Sequence, residues 1–464
     1  MHTETVSGTV PGAAAPAELR RVLASRHVSM ISIGGIIGAG LFVASSAVIA
    51  SVGPAAVISY LIAGAMVLLV MRMLGEMAIA MPQVRSFPDF VRTALGDWAG
   101  FVVGWLYWYF WIIVVPVEAI AGAVLLQNWI HLPAWEIGVV LMAVMTGVNL
   151  LSARSYGEFE FWFALIKVSA IIAFMLIAAA WAFGLTSHGE PTWSNLVSGG
   201  GFAPKGTKAV LAGVTSVFFA IVGAEITVVA AAESREPVRA VARMSISVMT
   251  RIMIFYVGSI FLIVTVVPWQ QIAPGHSPFV AAMNLMHFEW ASMVMTFIIL
   301  TAVLSCMNSA YYVTSRTLFS LAARGDAPKG LIRLSSRGVP AYSVLMGSIA
   351  GLAGIAAQVV SPKVVFAFLV DASGALVVLI YLLIAIAQIK LRRERSVEQQ
   401  RALPVQMWLF PYASYAAVGG MLAVLAAMAF TESKQREFWT SMVTLAIALV
   451  AAWWHTRRRT TAVR

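Results

Sequence analysis

Three ionisable side chains lie inside long apolar stretches of this sequence: Lys167, Glu118 and Glu225. At the centre of a membrane helix such a residue costs roughly 2.5–3.5 kcal/mol, so it faces the bundle interior or an aqueous path. Desolvation favours a neutral lysine and nearby carbonyl oxygens favour a charged one, so Lys167 is able to take up and release a proton. We predict proton coupling by these three residues. The alternatives are a permanently charged Lys167 strut and a structural hydrogen bond from Glu118.

The stretch Ser32–Phe42, SIGGIIGAGLF, carries four glycines within seven positions. Glycine is a poor helix former, so this part of an apolar segment should unwind, and unpaired backbone is tolerated in a membrane only around a protein-lined cavity. We predict a binding site here. Close helix packing through small residues is the alternative. A nucleotide-binding loop is not expected, because no strand precedes the glycines.

A second interrupted stretch, Val217–Thr227, contains Gly223 two residues before Glu225. A half-helix starting near Gly40 would present free amide groups and a positive dipole end to an anion. Carbonyl oxygens released before the two breaks, around Ile33 and Ala220, would accept an ammonium group. The expected ligand is therefore a zwitterion.

Ser305, Asn308 and Ser309 share one face of a later apolar segment, with Cys306 beside them. Counted from the inner end of the helix at about 1.5 Å per residue, they lie at the depth of Lys167 and of the first glycine break. We expect this polar stripe to point inward and to meet both.

The elements that position these residues are membrane helices, because 60% of the 464 residues are hydrophobic and only 11% are charged. Continuous apolar runs indicate helices and not a barrel. We predict an all-α membrane protein with twelve transmembrane segments, at 28–50, 55–71, 98–126, 134–152, 158–184, 209–232, 250–267, 291–315, 340–358, 364–388, 407–430 and 438–456.

The net charge of +11 is distributed as in a membrane protein and does not indicate nucleic acid. With both termini cytoplasmic, 25 of the 31 Lys and Arg residues fall on the inner side and five outside, which is the positive-inside bias. Lys167 is the remaining one. The chain has one cysteine, Cys306, and scattered histidines, so we expect no metal site and no cofactor. The sequence shows no set of nucleophile, base and acid residues, so we do not expect an enzyme.

Segments 1–5 and 6–10 each open with an interrupted helix, and an odd number of crossings inverts one half relative to the other, as in rocking-bundle transporters. The first 18 residues lack the apolar region of a signal peptide. We predict five parts: an N-terminal tail 1–26, a first repeat 27–206, a second repeat 207–390, helices 11 and 12 at 391–456, and a C-terminal tail 457–464.

Four further interpretations concern the helix ends, the interior and the periphery. Glu158 and Glu160 are expected in the first turn of segment 5, where carboxylates suit a helix N-terminus. Arg72 and Glu76 are expected to form an interfacial ion pair. Asp371 in segment 10 is expected to face the interior, as part of the site or as a structural strut. Segments 11 and 12 are expected to be scaffold or dimer surface.

Several motifs resemble one known family: SIGGIIGAGLF, GEMA, EFEFWFALIKV, FFAIVGAE, AAES, SCMNSAYYVTSR and RGDAP. They are similar to motifs of the amino acid transporter family in the amino acid–polyamine–organocation superfamily. SRHV, GEFEFW, SCMNSA and FLVDASGAL most resemble bacterial γ-aminobutyrate permeases.

The resemblance implies a LeuT-like fold of two inverted five-helix repeats, with substrate between broken helices 1 and 6 and a proton as coupling ion. It implies that Gly38, Ala39 and Gly40 hold the substrate carboxylate, that Phe219, beside Phe218, is an aromatic gate, and that Lys167 replaces a sodium ion. Some relatives have a serine where this chain has Ala39.

We therefore expect a proton-coupled amino acid importer of the bacterial inner membrane, and γ-aminobutyrate is the best single prediction for its substrate. Proline, an aromatic or another neutral α-amino acid is the alternative within this class. A channel or a nutrient receptor is the alternative outside it. The expected partners are the zwitterion and the bilayer, without nucleic acid; the sequence does not indicate an oligomeric state.

Overall fold

The computed structural model describes residues 27, 30–31, 35–84, 86–186, 191–226, 228, 253–360 and 374–462. Within them the regular structure is helical, without β-strands, as the sequence predicts. A π-helical turn, Gly40–Ala44, leads into the first α-helix. The α-helices in chain order are α1 Ser45–Val52, α2 Ala56–Ala80, α3 Phe87–Leu95, α4 Asp97–Leu126, α5 Ala134–Leu151, α6 Ala153–Ala182, α7 Gly206–Ile221, α8 Met253–Val266, α9 Pro278–Leu285, α10 Glu289–Ala323, α11 Ala341–Val360, α12 Gly374–Arg393, α13 Val397–Arg401, α14 Tyr412–Phe430 and α15 Glu432–Ala462.

Each of the twelve predicted segments overlaps an apolar helix, and eight of these helices are long and apolar enough to cross a membrane. The other four apolar helices have 10–17 residues: Gly40–Val52, Gly206–Phe218, Met253–Val266 and Ala341–Ala357. Two of them, in segments 1 and 6, are short because the chain leaves the helix at the glycines. The chain is a multi-pass membrane protein, and the number twelve stays a prediction.

The core of the bundle is built on α4, which packs along α10; α10 also packs along α6. In the most apolar part of α4, which is hydrophobic on all sides, 72% of the residues are buried within the protein. In the most apolar part of α15, only 17% of the residues are buried. The last helix therefore lies at the periphery, and its role as scaffold or dimer surface stays a prediction.

The expected pair of Arg72 with Glu76 is wrong. Glu76 is buried and accepts hydrogen bonds from Arg392 at 2.8 Å and from the Met407 amide. Arg72 donates to the Gln406 carbonyl at 2.7 Å. The helical spacing predicted a local contact, but α12 and the chain after it supply the partners that a buried carboxylate requires.

A charged cluster joins four elements at the end of the bundle where α3 lies. Arg92 of α3 donates to Asp97 at 2.8 Å and also pairs with Asp326, which follows α10. His455 of α15 lies 3.3 Å from the other oxygen of Asp326. The Trp105 indole of α4 donates to the Asp326 carbonyl at 3.3 Å, so this cluster ties peripheral α15 to the core.

Candidate functional site

The first break lies where the glycines predict it. Residues 35–38 form turns and bends, and helical geometry resumes at Ala39. The Gly35 amide still bonds to the Ile31 carbonyl at 2.9 Å, but the carbonyls of Ile36 and Ile37 bond to side chains of other helices. The π-helical turn at Gly40 re-starts the helix with an irregular register, a feature often found at functional sites.

The second break follows α7, which ends at Ile221. Gly223 has φ +120°, a backbone conformation that side-chain-bearing residues rarely adopt. A Cβ atom on Gly223 would lie 3.1 Å from the Gly35 carbonyl oxygen. The interruption predicted from one glycine is therefore present, and it lies against the first break.

Gly40 also packs against α7, since a Cβ atom there would lie 2.9 Å from Cα of Ala220. This contact is backbone to backbone and leaves no room for a side chain. The alternative interpretation, that the glycines serve close packing, therefore holds for Gly40. A role of its amide toward a substrate stays a prediction.

A tyrosine that the sequence analysis missed joins the two breaks. The Tyr256 hydroxyl on α8 lies 2.9 Å from both the Ile36 and the Ala220 carbonyl oxygens. A buried tyrosine usually finds a polar partner, which was the available signal, but nothing in the sequence identified these carbonyls. The single hydroxyl hydrogen of Tyr256 is thus within reach of backbone carbonyls of both breaks and can serve one of them at a time.

Lys167 is fully buried within the protein. Its Nζ donates to the Ile37 carbonyl and to Ser305 Oγ, both at 2.8 Å. One ammonium group therefore connects the first break, α6 and α10. The predicted meeting of Lys167, the glycine break and the polar stripe is confirmed.

Glu160 is a second buried charge that the sequence analysis placed wrongly. It is fully buried, accepts a hydrogen bond from Ser305, and lies 3.5 Å from Asn308 Nδ2. Helix α6 begins at Ala153, because Ser152 caps it by accepting from the Ser155 amide at 3.0 Å. Glu160 is therefore beyond the first turn.

The spacing of seven between Glu160 and Lys167 was the missed signal, since residues two turns apart share a helix face. Glu158, predicted for the same first turn, also lies beyond it and pairs with His27 at 3.1 Å. Only Glu160 of the two carboxylates joins the interior cluster. Ser305 bridges it to Lys167.

The polar stripe of α10 points inward as predicted, with Ser305, Asn308 and Ser309 fully buried. Asn149 of α5 donates to Asn308 at 2.8 Å, and the hydroxyls of Ser309 and Tyr156 are 3.2 Å apart. The stripe therefore links α5, α6 and α10 through side chains alone.

A small cavity separates the breaks from α4 and α10. Its space for solvent-sized atoms is about 30 Å³, close to the volume of one water molecule. An amino-acid-sized ligand therefore requires the helices or side chains to move apart. The lining residues are Gly35, Ile36, Gly38, Gly40, Phe110, Trp111, Val114, Glu118, Ala220, Val222 and Cys306.

The two predicted proton-coupling carboxylates occupy different places. Glu118 lines the cavity, whereas Glu225 is outside it and accepts a hydrogen bond from the Tyr381 hydroxyl at 2.6 Å. The Gly223 amide also donates to Glu225, at 3.3 Å. Glu225 thus braces the second break, with help from a tyrosine that the sequence analysis did not identify.

The remaining predicted site residues divide into three groups. Gly38 and Ala220 line the cavity, with Ala39 between two lining glycines, and Cys306 lies with Sγ 3.9 Å from the Gly35 carbonyl. Phe218 is fully buried away from the cavity lining, and Gly223 forms the second break. Ile33, Asp371 and the side chain of Phe219 lie outside the described residues. Within the described part, no three His, Cys, Asp or Glu side chains are grouped to hold a metal.

Comparison with known sequences identifies relatives over nearly the whole chain. The family model described as "Amino acid permease" matches residues 27–463. The γ-aminobutyric acid permease of Bacillus subtilis (strain 168) is 45% identical over 435 residues, covering 93% of both chains. That of Escherichia coli (strain K12) is 42% identical over 427 residues, covering 91% of both. The aromatic amino acid transport protein AroP of Corynebacterium glutamicum is 38% identical, covering 84% of this chain and 85% of that one.

Comparison with solved structures identifies the fold. A crystal structure of a manganese transporter from Eremococcus coleocola superposes with a TM-score of 0.58 at 12% identity, covering 94% of this chain and 96% of that one. At this identity the likeness shows the fold alone. It is the LeuT-like fold that the family resemblance implied.

Proposed function

The chain belongs to the amino acid permease family, and we propose that it is a proton-coupled secondary importer whose substrate is γ-aminobutyrate. Two relatives that cover more than 90% of the chain are named γ-aminobutyric acid permeases. The observation that carries the proposal is the meeting of two interrupted helices at a small cavity beside a buried lysine.

The substrate is a zwitterion held between the two breaks. Its carboxylate binds the amides of Gly38, Ala39 and Gly40, where the half-helix restarts and its dipole favours an anion. The cavity beside these residues supports this placement. Ala220 flanks the site on the side of the second break. An aromatic gate at Phe219 beside Phe218, and the Ile33 carbonyl as an acceptor for the ammonium group, stay predictions from the sequence.

Coupling uses the cluster of Lys167, Ser305 and Glu160. Protonated Lys167 holds the first break to α6 and α10, and a neutral lysine donates less strongly to the Ile37 carbonyl. Protonation of Lys167 therefore stabilises one arrangement of the bundle more than the other, and such a difference is what coupling requires. Glu225, which braces the second break, and Glu118 are the other predicted proton sites.

Transport proceeds by movement of one helix group against the other, because the cavity of about 30 Å³ is too small for an amino acid. The repeats 27–206 and 207–390 supply the two interrupted helices. Both termini face the cytoplasm of a bacterial cell, as the distribution of lysine and arginine predicts. The activity is transport without a chemical transformation or a cofactor.

An aromatic amino acid is the second candidate substrate, since one relative is named an aromatic amino acid transport protein. Phe110 and Trp111 already occupy the cavity wall, so an aromatic side chain would need more displacement than the thin chain of γ-aminobutyrate.

The test is competition for uptake in proteoliposomes with an imposed inward proton gradient. Labelled γ-aminobutyrate should accumulate, and unlabelled γ-aminobutyrate should compete better than proline, phenylalanine, lysine or glutamate. If vesicles preloaded with unlabelled substrate and empty vesicles acquire the same amount of label, the protein binds the substrate without transporting it. Stronger competition by phenylalanine or proline would contradict the substrate while leaving the family unaffected.

A further inference from the structure

A groove of about 550 Å³ lies on the outer surface of the bundle, where α11 begins. One of its walls is the face of α11 that carries Tyr342, Leu345, Met346 and Ile349, at helical spacings of three and four. All four side chains are exposed, although three of them are purely apolar. In a multi-pass membrane protein, such an exposed apolar face is a surface for lipid.

The other wall of this groove is the segment that connects α10 to α11. Pro328, Gly330, Leu331 and Arg333 line the groove, and Lys329–Ile332 forms a 3₁₀ turn. Gly330 leaves this wall open, since an added Cβ atom there would meet no atom within 4 Å. The surface is therefore a trough with two walls and not the flat side of one helix. Its volume is in the range of sites that hold one small molecule, about 300–1,000 Å³.

The groove runs along the direction in which a lipid molecule lies. Asp326, just before Pro328, belongs to the charged cluster at the end of the bundle where α3 lies, so the connecting segment and Tyr342 are at that end. Ile349 is about 10 Å further along α11. A tyrosine at the end of an apolar helix face is typical of the headgroup level of a bilayer. The groove thus extends from the headgroup level into the hydrocarbon region.

The headgroup end of the groove is positively charged. Arg333 lines it, and Lys329 lies between two lining residues. Both are exposed, and across the described part of the chain neither has an ion pair or a side-chain hydrogen bond. Asp326, the acidic residue of this connecting segment, is already paired with Arg92. Two cations therefore remain available to an anion, and a lipid phosphate accepts charge-assisted hydrogen bonds from both lysine and arginine.

We propose that this groove binds one anionic phospholipid, with its phosphate at Lys329 and Arg333 and an acyl chain against Leu345, Met346 and Ile349. A zwitterionic lipid binds more weakly, because it brings a positive charge of its own beside the two cations. The groove is separate from the central cavity, so the lipid site does not depend on which amino acid is transported.

The first test is native mass spectrometry of the purified full-length protein with phosphatidylglycerol or phosphatidylcholine of identical acyl chains. The parent should bind one phosphatidylglycerol per chain, about tenfold or more tighter than phosphatidylcholine. Lys329→Gln combined with Arg333→Gln should lower the affinity for phosphatidylglycerol about 30-fold and remove the preference.

The matched control is Arg154→Gln combined with Arg401→Gln, which removes two exposed charges outside the groove and should bind both lipids as the parent does. Equal affinity of the parent for both lipids, or an unchanged preference in the groove variant, would overturn the inference.

The second test fills the groove and keeps both cations. Gly330→Trp should weaken phosphatidylglycerol binding about tenfold or more, because its indole occupies the space of the acyl chain. Gly419→Trp on α14 is the control, since an added Cβ atom there also meets no atom within 4 Å and the residue lies outside the groove. Glycerol 3-phosphate at the lipid concentration should not displace the lipid. Parental binding in Gly330→Trp, or displacement by glycerol 3-phosphate, would indicate a site for the phosphate alone and overturn the lipid groove.

Discussion

At the scale of residues, the interior is organised by two opposite charges on one helix, Lys167 and Glu160. Ser305 accepts from the first and donates to the second, so the pair is satisfied through a hydroxyl. Buried charges of this kind are tolerated because each compensates the other, and removal of one leaves the other without its counter-charge.

Glu160→Gln alone should therefore lower the free energy of unfolding by about 3 kcal/mol or more, whereas Glu160→Gln combined with Lys167→Met should recover much of that loss. Thermal unfolding in detergent measures both. Glu158→Gln is the control, because that carboxylate lies outside the interior cluster and its side chain is 37% exposed. Additive losses in the double variant would show that the two charges do not compensate each other.

The relative level of residues on neighbouring helices was predictable from the sequence, whereas their hydrogen-bond partners were less predictable. Counting along helices placed Lys167, Ser305 and the first break at one level, and the structure brings them together. Glu160 was misplaced because Ser152 caps the helix earlier than the apolar pattern indicated. The partners of Tyr256 and Tyr381 depend on which helices pack together, and the pattern along one segment does not contain that information.

At the scale of elements, the two breaks are the features that depend most on residue type. Gly223 combines φ +120° with close contact to the Gly35 carbonyl, so both its conformation and its surroundings exclude a side chain. Four glycines predicted the first break clearly. The second was less evident from one glycine, because the strain at Gly223 arises from packing against another helix.

Gly223→Ala should cost roughly 1–3 kcal/mol from backbone strain alone and should weaken substrate binding further by displacing the first break. Gly147→Ala is the matched control, since Gly147 lies within α5 and an added Cβ meets no atom within 4 Å. That control should gain up to about 1 kcal/mol from helix propensity. Thermal unfolding with and without γ-aminobutyrate measures both effects, and equal behaviour of the two variants would contradict the role of the second break.

At the scale of the whole molecule, interior helices surround the cavity and exposed helices surround them. Composition alone predicted a multi-pass helical membrane protein, and the family resemblance implied the LeuT-like fold. The cavity volume was not predictable, because it depends on how side chains of α4 and α10 fill the space between the breaks. A cavity of about 30 Å³ implies that binding and opening are linked.

The central claim, that Lys167 couples proton movement to substrate import, is tested by two transport measurements on Lys167→Met in proteoliposomes. Methionine keeps the length of the side chain and removes its charge. Counterflow of labelled γ-aminobutyrate requires binding and exchange only, whereas concentrative uptake under an inward proton gradient also requires coupling. The account predicts that Lys167→Met keeps detectable substrate binding or counterflow and loses gradient-driven accumulation. Accumulation at the parental level in Lys167→Met would contradict the account and would make the lysine a dispensable strut.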